Sequence, residues 1–190
     1  MLGILVLLAG CQTTSSGPPT GTRISPALAN PTPDTTTLNP GLAVDYSNII
    51  ANSISDVEVA GRGKEGPPLP HLNWPQTSGR PVMTSTYPIY VSAQIDGYLK
   101  FPVAGDYALR LLSNDGVQLT IGNQIVLADP TVHTTRLTGP TTVSIKDAGW
   151  YKLHLLYFQK AGSATLVLQW KRPGQADFVP VPDEMFAHTP

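Results

Sequence analysis

Few residues in this chain have the type and spacing to do chemistry, and the sharpest set is Asn114-Asp115-Gly116, an amide and a carboxylate side by side ahead of a glycine. Adjacent oxygen-bearing side chains at a chain reversal can present polar atoms to a ligand. The same three residues are also strong turn formers with no ligand involved, because Asn, Asp and Gly tolerate positive φ. Ligand binding through Asn114, Asp115 and Gly116 and a turn alone are therefore both open readings. A flat ring that stacks on the apolar face of a sugar is the other available chemistry, and Trp74, in a Pro-flanked stretch, is its foremost candidate, with Tyr87 and Tyr90. For Trp74, burial competes with display. Trp150 and Trp170, at the start and end of strands, read as structural. Enzymatic constellations are missing. His71, His133, His154 and His188 lack the His-Glu-x-x-His spacing of a metal site on one helix face. No Gly-x-Ser-x-Gly elbow occurs, and the neighbours Asp183 and Glu184 point to opposite faces of an extended chain. The expectation is a protein that is not an enzyme, with no catalytic residue assigned.

The frame that must hold these residues is legible between Gly97 and Val126. Tyr107, Leu109 and Leu111 alternate with Ala108, Arg110 and Leu112, a period of two that turns one face inward. After Asn114-Asp115-Gly116 the alternation resumes at Val117, Leu119 and Ile121. Gly122-Asn123 then has the length and composition of a primed hairpin turn into Ile125-Val126. Strand, turn, strand, turn, strand predicts an antiparallel meander. Downstream, Tyr151, Leu153, Leu155 and Tyr157 share one face, residues 160–163 read as a hairpin connection, and Leu166, Leu168 and Trp170 share the next inward face. Residues 89–99 read as extended with a bulge or turn at Asp96-Gly97. Residues 61–70 and 77–81 read as loops from their Pro and Gly content, and no segment shows sustained helical periodicity.

The order Gly-Tyr-Leu, Gly-Asp-Tyr, Ser-Asn-Asp-Gly-Val-Gln-Leu and Ile-Gly-Asn closely resembles the protective-antigen family of β-sandwich domains. Further blocks fall in that family's order: residues 42–46 at its opening strand, Leu72-Asn73-Trp74 at its early tryptophan segment, residues 150–158 at its late aromatic strand and residues 181–186 at its close. The resemblance runs from about residue 41 to the C-terminus and implies an all-β, antiparallel β-sandwich. Domains of this family occur in toxins, in flocculins and other adhesins, and as insertions in glycoside hydrolases, so it fixes fold more firmly than function. In its sugar-binding flocculin branch the equivalent hairpin tip carries two consecutive aspartates joined by a cis peptide, holding a calcium ion that coordinates sugar hydroxyls. The resemblance thus implies a metal site at Asn114 and Asp115. Calcium takes about six to eight oxygen ligands, and Asn114 in place of the first aspartate removes one negative charge, so weaker affinity is expected. Asp96, Asn123 and Asp129 are further oxygen donors by loop placement.

The N-terminal end carries a separate signal. Residues 1–10 are almost entirely apolar, too few to span a bilayer but enough for a signal-peptide core. Leu8-Ala9-Gly10-Cys11 resembles the bacterial lipobox, whose cysteine is lipidated and becomes the mature N-terminus. Cys11 is the chain's only cysteine. The alternative is a short buried strand, and no Lys or Arg precedes Arg23 where a signal ordinarily carries a basic start. Gln12 rather than Asp after the cysteine resembles the pattern for outer-membrane retention. Between Cys11 and Pro40, Thr, Ser, Pro and Gly dominate without an aromatic residue, which predicts a flexible tether. It would span about 30 Å as a coil and about 90 Å extended. Ile24, Leu28 and Leu38 are isolated apolar hooks that suit an arm docking along a partner protein instead. The expected organisation is residues 1–10 as signal peptide, 11–40 as lipidated tether and 41–190 as sandwich.

A net charge of −1 with 13% charged residues argues against nucleic acid, whose phosphates call for clustered Lys and Arg. The expected partners are a membrane, through the N-terminal lipid, and either a glycan or an envelope protein. The reading with most support is a lipid-anchored module of the cell envelope that recognises a surface polysaccharide, assisted by calcium if by any cofactor. The alternative is a structural or docking subunit of an envelope assembly.

Overall fold

The computed structural model describes residues 21–190. The signal peptide expected over residues 1–10 and the lipidation expected at Cys11 fall outside the described residues. In chain order the strands begin with β1 (Arg23–Ile24), β2 (Asn39–Pro40), β3 (Ala43–Asn48), β4 (Lys64–Glu65), β5 (Asn73–Ser78), β6 (Val91–Phe101) and β7 (Gly105–Asn114). They continue with β8 (Val117–Ile121), β9 (Gln124–Asp129), β10 (Arg136–Ile145), β11 (Gly149–Gln159), β12 (Ser163–Lys171), β13 (Val179–Pro180) and β14 (Phe186–His188). One sheet runs β1-β10-β7-β12-β13, with β5 also on β12. The other runs β2-β14-β6-β11-β8-β9, with β3 on β6 and β4 on β3. The pairing is antiparallel except for β1 on β10. The two sheets face each other as the expected antiparallel β-sandwich.

The alternation read in the sequence is what builds the core. Tyr107, Leu109 and Leu111 of β7 and Leu166, Leu168 and Trp170 of β12 are buried from one sheet. Val117, Leu119 and Ile121 of β8 and Tyr151, Leu153, Leu155 and Tyr157 of β11 meet them from the other. Each such side chain contributes roughly 1.5–3 kcal/mol by leaving water. Phe101 is the hub of an aromatic cluster, edge-on to Tyr107 at 4.8 Å and to Tyr151 at 5.3 Å between ring centroids.

Several expectations are corrected. The step from β7 to β8 is not a hairpin: β7 pairs with β10 and β12 while β8 pairs with β9 and β11, so residues 114–116 carry the chain from one sheet to the other. Only β8-β9 is the meander's hairpin. Residues 160–162 likewise cross between sheets. Turn-forming residues serve either path, and alternation cannot say which sheet a strand joins. Asp96-Gly97 is no bulge, since β6 stays in unbroken register with β11. Gly97 is required because a Cβ there would strike the Ala187 carbonyl of β14. Parts of the expected loops 61–70 and 77–81 form β4 and the end of β5. The α-helix α1 (Ile54–Ala60) was not expected; Asp56 caps it by accepting from the backbone N–H groups of Asn52 and Ser53. It buries Ile54 and Val57 on Leu156 and Phe158, the outward-facing apolar residues of β11.

Of the tether expected over residues 11–40, the described part, from residue 21, packs on the sandwich in places. Ile24 is buried in β1 beside β10, Ala29 donates to the Trp150 carbonyl, and Leu28 packs on the core. Two of the apolar hooks, Ile24 and Leu28, dock on the chain's own sandwich, because a few well-placed side chains and strand bonds offset the entropy that composition alone assigns to coil.

Candidate functional site

At one end of the sandwich, residues 114–116 lie beside the β9-β10 loop 130–135 and the β11-β12 crossing 160–162. Asp115 ties all three together. Its backbone N–H donates to the Phe158 carbonyl at 3.1 Å, its Oδ1 accepts from the His133 backbone N–H at 3.2 Å, and its Oδ2 accepts from the Lys160 backbone N–H at 2.8 Å. The residue is only 4% exposed, and among the described residues no cationic side chain pairs with it. Asn114 precedes it through a cis peptide. Its Nδ2 donates to Thr135 Oγ1 at 3.3 Å, and its carbonyl accepts from the Tyr157 hydroxyl at 2.6 Å. Burial, then the nearby Asp115 charge, raise the Tyr157 hydroxyl pKa well above its ordinary value, so this proton stays in place. Gly116 is there for space: a Cβ would run into the Phe158 ring.

The polar groups around this crossing are left open. Ser113 Oγ, His133 Nε2, Gln159 Oε1 and Thr165 Oγ1 are the buried side-chain polar atoms without a hydrogen-bond partner among the described residues. All four lie at this end: Ser113 precedes Asn114, Gln159 precedes Lys160, and Thr165 pairs with Asn114 across β12. His133 Nε2 comes within 3.4 Å of Asp129 without the alignment of a hydrogen bond, while Nδ1 donates to the Thr134 carbonyl at 2.8 Å. An unmet buried polar atom costs on the order of 1–3 kcal/mol, and one end of the molecule carries all of these.

The remaining predicted donors do not converge. Asp129 is near, opposite Val117, but Arg136 clamps it through two bonds of 2.6 Å. Burial pushes its pKa up; Arg136, with His133 and Thr138, more than offsets this and holds it below the ordinary value. Asp96 lies mid-strand on β6, bonded to His154 at 2.7 Å and to Arg62 at 2.7 Å, and Asn123 is at the hairpin tip of the opposite end. Among the described residues no group of three or more His, Cys, Asp or Glu could hold a metal ion. The fit to calcium is therefore partial. Asp115 keeps a second lone pair on each carboxylate oxygen, and Asn114 Oδ1 accepts no hydrogen bond among the described residues. The rest of a calcium shell falls to loop carbonyls, water and ligand hydroxyls.

Trp74 is half-buried against the core, its indole N–H donating to the His71 carbonyl at 2.9 Å, and one side of it lines a cleft. Tyr90 is joined to the site through its backbone N–H, which donates to the Lys160 carbonyl. Tyr87 lines a separate cleft with Tyr46 and Thr84. Sequence reasoning missed His133, Thr135 and Lys160, because loops carry no period and residues 160–163 looked like a plain hairpin.

Residues 83–184 match the family model described as the PA14 domain. Among solved structures, the chain is similar to the PA14 domain of the MpAFP antifreeze protein, with a TM-score of 0.67 at 17% identity, covering 86% of this chain and 97% of that one. The PA14 sugar-binding domain from an RTX adhesin matches with a TM-score of 0.61 at 16% identity, over 78% of this chain and 98% of that one. The A domain of epithelial adhesin 9 from Candida glabrata, in complex with Galb1-3GlcNAc, matches with a TM-score of 0.65 at 12% identity, over 88% and 97% of the two chains. A comparison with curated proteins finds no match.

Proposed function

The chain belongs to the PA14 domain family, and from that premise we propose that it is a glycan-binding module whose binding end is the crossing at Asn114-Asp115-Gly116. The observation that carries this reading is the buried Asp115 carboxylate, held by two backbone N–H groups, without a cationic partner among the described residues and at the same end of the sandwich as the open polar atoms. Such an end is prepared for a polyhydroxy ligand, whose hydroxyls both donate and accept. The sugar-binding adhesin structures that share the fold support it.

Calcium is the proposed assistant. Asp115 and Asn114 would hold it, supplying one carboxylate and one amide oxygen, and the ion would add positive charge against sugar hydroxyls. With one carboxylate where a two-aspartate pair would give two, affinity for the ion is weak and rises when glycan completes the shell. We further propose that Cys11 carries a lipid anchor that holds the module in the cell envelope, at the outer membrane. Replacing Cys11→Ser and following incorporation of labelled palmitate tests the anchor.

Binding to a polysaccharide and peptidoglycan panel, with calcium and with chelator, tests the main reading. Saturable binding that disappears in a folded Asp115→Asn variant supports it. Binding untouched by that substitution, or none across the panel with co-purifying envelope proteins instead, moves the function to a docking subunit.

A further inference from the structure

Where the paired strands β5 and β12 meet residues 80–83 lies a cleft of about 220 Å³, walled by Trp74, Pro75, Met83 and Tyr157. Thr165 also lines it; the residue is 1% exposed and its Oγ1 has no hydrogen-bond partner among the described residues. A buried hydroxyl left unmet is costly, so it points to a group that completes it. Arg80 stands at the same cleft, exposed, with neither a hydrogen bond nor an ion pair to any described residue. The cleft adjoins the binding end through Tyr157, which lines it and whose hydroxyl donates to the Asn114 carbonyl.

Three features are thus presented together: an aromatic and apolar wall, a single buried hydroxyl and an unpaired guanidinium. A carboxylate-bearing pyranose answers all three, with its C–H face on Trp74, a ring hydroxyl on Thr165 Oγ1 and its carboxylate on Arg80 through charge-assisted hydrogen bonds. A fatty acid would leave Thr165 unmet. The space is small beside the roughly 300–1,000 Å³ of drug-sized pockets, which suits one ring rather than a chain. We propose that this cleft is a second subsite, taking a uronic-acid residue of the glycan whose neighbouring residue sits at Asn114-Asp115; it rests on that reading of the crossing.

Nuclear magnetic resonance of the isotope-labelled chain, titrated with methyl glucuronide and with methyl glucoside, separates the two claims. The glucuronide is expected to shift the Trp74 indole N–H and the Arg80 side-chain N–H signals, about ten-fold more tightly than the glucoside. Arg80→Gln, at an exposed position that leaves the fold intact, is expected to erase that difference. Still Trp74 and Arg80 signals alongside shifting His133 and Lys160 amides would overturn the subsite and leave the crossing. Shifts at Trp74 and Arg80 alone would keep the uronate cleft and remove the crossing. Equal response to both sugars would overturn the carboxylate assignment.

Discussion

The two ends of the sandwich are built on the same strands and treat their polar groups in opposite ways. At the end away from the crossing, the Tyr107 hydroxyl donates to the Val103 carbonyl at 3.0 Å and the Tyr151 hydroxyl to the Asp147 carbonyl at 2.7 Å. The N-terminal arm closes that end, with Ile24 in β1, Ala29 bonded to Trp150 and the Ser25 carbonyl accepting from Gln124. At the other end, among the described residues, four buried polar atoms lack partners and the Asp115 carboxylate has no cationic one. A fold that satisfies its hydrogen bonds at one end and leaves them open at the other is the reason the ligand is proposed at the open end.

That contrast can be broken by substitution. The largest effect is expected from Phe101→Ala, which removes the hub of the aromatic cluster and costs about 3–5 kcal/mol; thermal unfolding reads it, while sugar binding well below the transition stays unchanged. Asp115→Asn comes next. It keeps volume but turns an amide against one of two backbone donors, costing about 1–3 kcal/mol and abolishing sugar binding in molecules that remain folded. Ile24→Ala unpacks the arm for about 2 kcal/mol, the low end for a buried isoleucine because β1 is a short edge strand, again with binding intact, which a calorimetric titration would check.

Acid sharpens the comparison further. Asp129 is held below its ordinary value of 3.8, Arg136 and its neighbours outweighing burial. A carboxyl depressed in the folded state stabilises above its unfolded value and loses that contribution as pH falls through the folded one. Arg136→Gln is therefore expected to lower Tm at neutral pH, and the gap from the parent to close progressively below pH 3.8. The smallest effect is expected at Arg23, whose pair with Asp106 is solvent-exposed: Arg23→Ala should leave Tm almost unmoved.

The strands were legible because alternation is a local property: Tyr107 to Leu111 and Tyr151 to Tyr157 announce their inward faces residue by residue. Leu156 and Phe158 broke that alternation, and this was the available sign that a cover such as α1 lies outside β11. Which sheet each strand joins was not legible, since Asn114-Asp115-Gly116 and residues 160–163 turn equally well within a sheet or across two. The same gap hid half of the site. Asp115 stood out by type, whereas His133 and Lys160 contribute backbone N–H groups, which every residue but proline has. The arm was misread for a related reason, as Ile24 and Leu28 stabilise through contacts some hundred residues away that composition does not record.

The central claim is that the open end binds glycan through Asp115. Its most direct measurement is isothermal titration of a responding polysaccharide fragment into the parent and into Asp115→Asn, both verified as folded, in calcium and in chelator. The account expects saturable binding by the parent in calcium, weakened in chelator and absent in the variant. A folded Asp115→Asn that binds with the parent's affinity would contradict it.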